Sequence, residues 1–136
     1  MAVFNKFNSF VEAVAEKVHD LGADQLTLAL TNVAPVAGNT VLANITEISY
    51  TNLSTRNITR TSSSQTAGLY RLIVADLTLT STGGSTGPFR YVVVYNSTAA
   101  GGPLIGWYDY GTALTLNSGE SLSVDFDQVN GLLTLQ

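Results

Sequence analysis

The chain has no cysteine and a single histidine among its 136 residues, and charged side chains make up only 12% of it. Each shortage closes off a class of chemistry. Without cysteine there is neither a disulfide nor a zinc thiolate site, so a small fold must hold itself by core packing or by association. The six Lys and Arg residues are dispersed against ten Asp and Glu, giving a net charge of −4. They cannot form the basic cluster that would release counterions from a phosphate backbone, and nucleic acid is not an expected partner. No window approaches the ~18 apolar residues of a membrane span, so no membrane partner is expected either. The opening Met1-Ala2-Val3-Phe4-Asn5-Lys6 lacks the basic stretch followed by a continuous apolar run that a secretory signal requires, which predicts folding in a cytoplasm. Sequons at Asn44, Asn52, Asn57 and Asn96 then read as by-products of a Thr- and Asn-rich composition.

Catalytic groups are equally scarce. His19 lies beside Asp20 but faces another way on a helix, and is expected as a surface group favoured by the helix dipole. Asp125 and Asp127 would share a strand face, as a calcium pair might, but no third acid lies nearby in sequence and no Gly-rich loop surrounds them. Ser62-Ser63-Ser64 and the Gly-Gly turns match neither a nucleophile elbow nor a phosphate loop. We expect no enzyme, no metal and no cofactor.

What the chain does have is 45% hydrophobic residues, and its charged share is about half the usual one. Its surface must therefore be clad in Ser, Thr, Asn, Gln and Gly, a neutral covering suited to close packing on other proteins. The length fits one domain, with a join near Gly22 between an N-terminal helical arm, residues 1–22, and a β-domain, residues 23–136. In the arm, Phe4, Phe7, Val11, Val14, Val18 and Leu21 step by three and four, one stripe of an amphipathic helix. Asn5 or Asn8 would cap its start and Gly22 its end. The stripe must lie across one end of its own domain or dock on a neighbouring chain.

From Gln25 the period changes to two. Leu26, Leu28 and Leu30 alternate with Thr27, Ala29 and Thr31, predicting a strand with one apolar face. Asn32 to Asn39 is a loop, and Thr40 to Tyr50 fits either a helical turn series or a poor strand. Beyond it one strand is expected around Ile58, followed by a polar Ser62 to Gln65 stretch. Leu69 to Leu79 reads as one long strand, Phe89 to Tyr95 as a strand buried on both faces, and Leu104 to Tyr110 as its successor. Asn117-Ser118-Gly119 marks a hairpin turn before Ser121 to Phe126, and Leu132 to Leu135 closes the chain. Seven or eight strands at this spacing predict an all-β fold, an antiparallel jelly-roll or β-sandwich with an N-terminal amphipathic helix.

Within it, Trp107 and Asp109 should face one way and Tyr108 and Tyr110 the other, so one aromatic set is core. The other could anchor an interface or stack a sugar. Arg56, Arg60, Arg71 and Arg90 outnumber Lys in the β-region, which suits planar bonding to carboxylates. The candidate protein interface therefore comprises Phe4, Phe7, Val11 and Val14 of the arm, Trp107 and Tyr110, and Arg56, Arg60 and Arg90.

The blocks Gly87-Pro88-Phe89-Arg90-Tyr91-Val92-Val93-Val94-Tyr95-Asn96, Pro103-Leu104-Ile105-Gly106-Trp107-Tyr108-Asp109-Tyr110-Gly111 and Leu116 to Phe126 resemble a recurrent family of small structural proteins of tailed bacteriophages. Phe4-Asn5-Lys6-Phe7 and Leu28 to Pro35 fit the same pattern, while Tyr50 to Ala67 contributes nothing to it. The resemblance implies a virion protein on the capsid surface, the cement or decoration protein of a short-tailed phage. Such a protein is a jelly-roll homodimer that binds the major capsid protein and clamps neighbouring subunits against internal genome pressure. It carries no catalytic residues. The alternative compatible with the same β class and aromatic cluster is a receptor- or glycan-binding module of a tail fibre.

Overall fold

The alternating stretch after Gln25 becomes one edge of a four-stranded antiparallel sheet in the computed structural model, which describes residues 2–136. The described elements are β1 (Phe4–Lys6), α1 (Ser9–Ala15), β2 (Leu26–Thr31), β3 (Arg60–Thr66), β4 (Leu69–Val74), β5 (Leu77–Thr80), β6 (Thr86–Asn96), β7 (Leu104–Leu116), β8 (Ser121–Val124) and β9 (Leu133–Leu135). They make three antiparallel sheets, ordered β1-β7-β6-β2, β3-β4-β9 and β5-β8. The protein is thus mostly antiparallel β-sheet with one short helix.

The four-stranded sheet is covered on both faces, which explains its composition. Leu28 and Leu30 of β2, Val92 and Val94 of β6, and Ile105 and Tyr108 of β7 point into the main core with Leu72, Val74, Leu79 and Phe126. Ala29, Val93, Tyr95 and Leu104 point the other way into a smaller core with Phe7 and Ile45. The run Val92-Val93-Val94 is accordingly buried throughout, as expected of a strand covered on both sides. In β2 the expected polar face is buried as well. Thr27 bonds to Asn57 and Ser97, and Thr31 accepts from the Val33 amide, so hydroxyls substitute for apolar packing there.

The N-terminal expectation is corrected. Residues 4–21 are not one helix, and residues 2–22 form no separate arm. Phe4–Lys6 pairs with β7, and the helix spans only Ser9–Ala15, ending where Lys17 adopts a left-handed φ of 65°. A spacing of three between Phe4 and Phe7 cannot distinguish one helix from a strand leading into a helix. The β7 edge decides it, because Gly106 lets β1 lie close. A Cβ at Gly106 would fall 2.6 Å from the Asn5 carbonyl. The buried helical residue is Phe10, absent from the stripe, while Val11 is exposed.

Three strand expectations also change. Leu69 to Leu79 breaks at Ala75-Asp76, where the Asp76 carboxylate accepts the Phe126 amide at 2.9 Å. Ile58 lies outside any strand and bonds through its amide to the Leu26 carbonyl, whereas the Ser-rich stretch after it forms β3. Thr40 to Tyr50 holds a single 3-10 turn, Leu42–Asn44, with isolated bridges at Val41 and Glu47.

Candidate functional site

The nine candidate interface residues are mostly engaged within the chain. Phe4 packs on Tyr108 with ring centroids 5.1 Å apart, and the fully buried Phe7 packs on Trp107 at 4.6 Å. Trp107 is therefore half-buried on the smaller core, and Tyr108 fills the main one, the separation of faces that strand alternation requires. Tyr110 and Val14 lie half-buried against the main core, and burial raises the Tyr110 phenol above its ordinary pKa. Val11 alone of the nine is an exposed apolar side chain.

The three arginines have internal partners too. Arg56 lies 3.6 Å over the Tyr50 ring and donates to the Leu28 carbonyl, while the Tyr50 hydroxyl accepts the Leu30 amide and donates to Glu47 at 2.7 Å. This pair fastens the 47–58 segment along the outer edge of β2, so Arg56 acts as a clip for a stretch whose sequence shows no strand pattern. Arg60 donates to the Asp24 carbonyl at 3.2 Å. Arg90 grips Asp109 through two bonds of 2.8 and 3.0 Å across β6 and β7. The bidentate bond from Arg90 and the Gly111 amide hold the Asp109 carboxyl below its usual range. These arginines are positioned by their own chain before any partner arrives.

The structure also contains a polar cluster around His19, which was expected as a surface group. His19 follows the helix rather than belonging to it and is only 6% exposed, stacked 5.4 Å from Phe10. Asn96, fully buried at the end of β6, accepts the Thr98 and Ala99 amides on its Oδ1. That fixes its amide, so its Nδ2 faces inward and donates to Asp24 at 2.6 Å and to His19 Nδ1 at 3.1 Å. His19 Nδ1 is then an acceptor, and its Nε2 carries the proton with no partner among the described residues. Burial lowers the His19 pKa, opposed by the negative Asp24. The bond from Asn96 is the chief cause that lowers the Asp24 pKa. Nothing in the sequence signalled this triad, since its members are brought together only by the approach of the N-terminal segment to the end of β6.

A cleft of about 390 Å³ runs past it, lined by Lys17, His19, Asp20, Asp24, Tyr70 and Ala99. A second, of about 250 Å³, shares Leu21 and Asp24 and is lined on its far side by Asn57, Arg60 and Val74. His19 and Asp24 both bond to the Asn96 side chain, so the three tie the segment after the helix to the end of β6. Among the described residues no three His, Asp or Glu side chains converge as metal ligands, and Asp127 spends its carboxylate on the Val129 and Asn130 amides. No helix among the described residues is long and apolar enough to cross a membrane. Compared with protein families, curated proteins and solved structures, the chain gives no match.

Proposed function

We propose that this chain is a structural virion protein of a short-tailed bacteriophage, a non-enzymatic cement protein. In this reading it binds the outside of the capsid and clamps neighbouring major capsid subunits. The observation that carries the reading is where the phage-like blocks fall. Gly87 to Asn96, Pro103 to Gly111 and Leu116 to Phe126 coincide with β6, most of β7, and the turn and strand of β8, so the resemblance covers the centre of the fold. The finer architecture belongs to the same proposal: the four-stranded sheet and the remaining strands form the two layers of a jelly-roll closed over the main core.

The surface chemistry supports it. The chain carries few charges, with a small negative excess, and Arg56, Arg60 and Arg90 are already occupied, leaving an exterior largely of hydroxyls and amides that can be packed against protein without a large desolvation cost. A homodimer touching two capsid subunits would gain effective concentration for its second contact, so weak individual contacts suffice. Quantitative mass spectrometry of purified virions, with the major capsid protein as internal standard, tests the proposal. Copy number comparable to the major capsid protein is expected. A copy number limited to the tail would replace the cement role with the tail-fibre reading, and absence from particles would overturn both.

A further inference from the structure

β3 is a seven-residue strand that among the described residues is paired on one side only, with β4, and the residues Thr61 to Thr66 along it carry no charge and no proline. Natural sheets blunt such edges with lysine, proline, bulges or brevity, because unpaired N–H and C=O groups template further pairing. The other edges follow that rule. β1 and β9 are three residues long, β5 and β8 four, with β5 also bonded to Ser54, and the outer side of β2 is covered by the bonds with Ile48, Arg56 and Ile58.

The β3–β4 turn determines which groups are free. Ala67 and Gly68, with φ of 51° and 83°, make a two-residue turn, so Thr66 and Leu69 exchange both backbone bonds. Alternation then directs Thr66, Ser64 and Ser62 toward β4, and the backbone groups of Gln65 and Ser63 outward. Further back the ladder is interrupted between Arg60 and Ser62, and the Thr61 hydroxyl turns to the Ile73 carbonyl. The regular outer edge therefore offers two residues, Ser63 and Gln65, both exposed.

We infer that this edge pairs with β3 of a second copy, antiparallel, about a two-fold axis at Ser64. Ser63 of one copy faces Gln65 of the other and the reverse, so all four outward groups of each strand segment find partners in one isologous contact. The register sets Arg60 opposite Gly68 of the other copy, with no like charges opposed. Two three-stranded sheets become one of six strands. A partner of different sequence is not required, because the edge is complementary to itself. The inference gives the homodimer of the proposed function its contact face and rests on that reading only for what the dimer does.

The absence of native cysteine makes a clean test possible. In this register the two Ser64 residues form a non-hydrogen-bonded pair with Cα atoms about 4.5 Å apart, within disulfide range. Under mild oxidation Ser64→Cys should form a covalent dimer about 10²-fold faster than Ser123→Cys, an exposed serine on β8, as expected of two thiols held at high effective concentration. Ser63→Pro removes an outward N–H while sparing the β4 ladder, and should be monomeric in sedimentation with an unchanged circular dichroism spectrum. Ser64→Lys sets two like charges opposite each other and should also be monomeric. A wild-type chain that stays monomeric up to about 1 mM overturns the inference. So does a dimer that persists in Ser63→Pro, or one in which Ser64→Cys reacts no faster than Ser123→Cys. Cross-linking at Ser64 in a protein missing from virions would leave the contact standing and remove the capsid role.

Discussion

His19 gives this fold a response to pH near neutrality. It is held neutral by burial, with Nδ1 accepting from Asn96 and Nε2 enclosed without a partner among the described residues. Its folded pKa lies below the unfolded value of about 6.5, so on acidification the unfolded chain takes up a proton that the folded chain refuses. Stability is therefore full above about pH 6.5 and declines as pH falls below it, by no more than about 1.4 kcal/mol per pH unit from this group. Asp24 and Asp109, whose pKa values are lowered, contribute stability present above the carboxylate range and lost only at more acidic pH. We predict that His19→Gln flattens the dependence of urea unfolding free energy between about pH 7 and 5. An unchanged slope would show that His19 titrates normally. The sequence displays His19 but not its burial, because its partner Asn96 lies far along the chain.

At the scale of elements, the N-terminal segment and β7 depend on one another. β1 supplies a ladder of three paired positions, Phe7 closes the smaller core under Trp107, and Phe10 with Leu21 enters the main core. Removing residues before Gly22 would thus strip side chains from both cores rather than liberate an intact β-domain. A smaller perturbation isolates the contact. Gly106→Ala sets a methyl against the Asn5 carbonyl and the Phe4 ring, so it should displace β1 and cost about 1–3 kcal/mol. Hydrogen exchange at the amides of Asn5 and Phe7 should accelerate more than at those of Val92 or Val94, which lie within the β2–β6–β7 ladder. Uniform acceleration would mean the strain spreads through the whole sheet. The apolar spacing of the segment was legible from sequence, but its conformation was not. Residues three apart can share a helix face or straddle the exit of a strand, and only the partner surface distinguishes these.

For the whole molecule, the proposed clamp makes a thermodynamic prediction. A ligand that binds intact shells and not loosened ones raises their stability by RT ln(1 + [L]/Kd), about 4 kcal/mol at a thousandfold excess over Kd. Shells stripped of the protein should therefore regain thermal stability progressively as it is added back, and Ser63→Pro should need higher concentrations for the same gain. Stabilisation that does not depend on concentration would exclude a mass-action clamp.

The sequence by itself determined the mostly β character of this protein and the strands of its centre. Val92-Val93-Val94 and the split of Trp107 from Tyr108 were readable because burial there follows local alternation, whereas Asn117 to Gly119, expected as a hairpin turn, instead carries the chain from β7 to β8 in a different sheet, since β8 finds its partner in β5. Only the tertiary structure decided the rest: that Phe4–Lys6 is a strand, that serines form β3, that Arg56 clips a patternless segment, and that His19 is buried. Each of these depends on a partner distant in sequence, since edge pairing and polar satisfaction reward backbone and side-chain groups whatever their hydrophobicity. Periodicity records which side chains leave water, and it is silent where hydrogen bonds do the selecting.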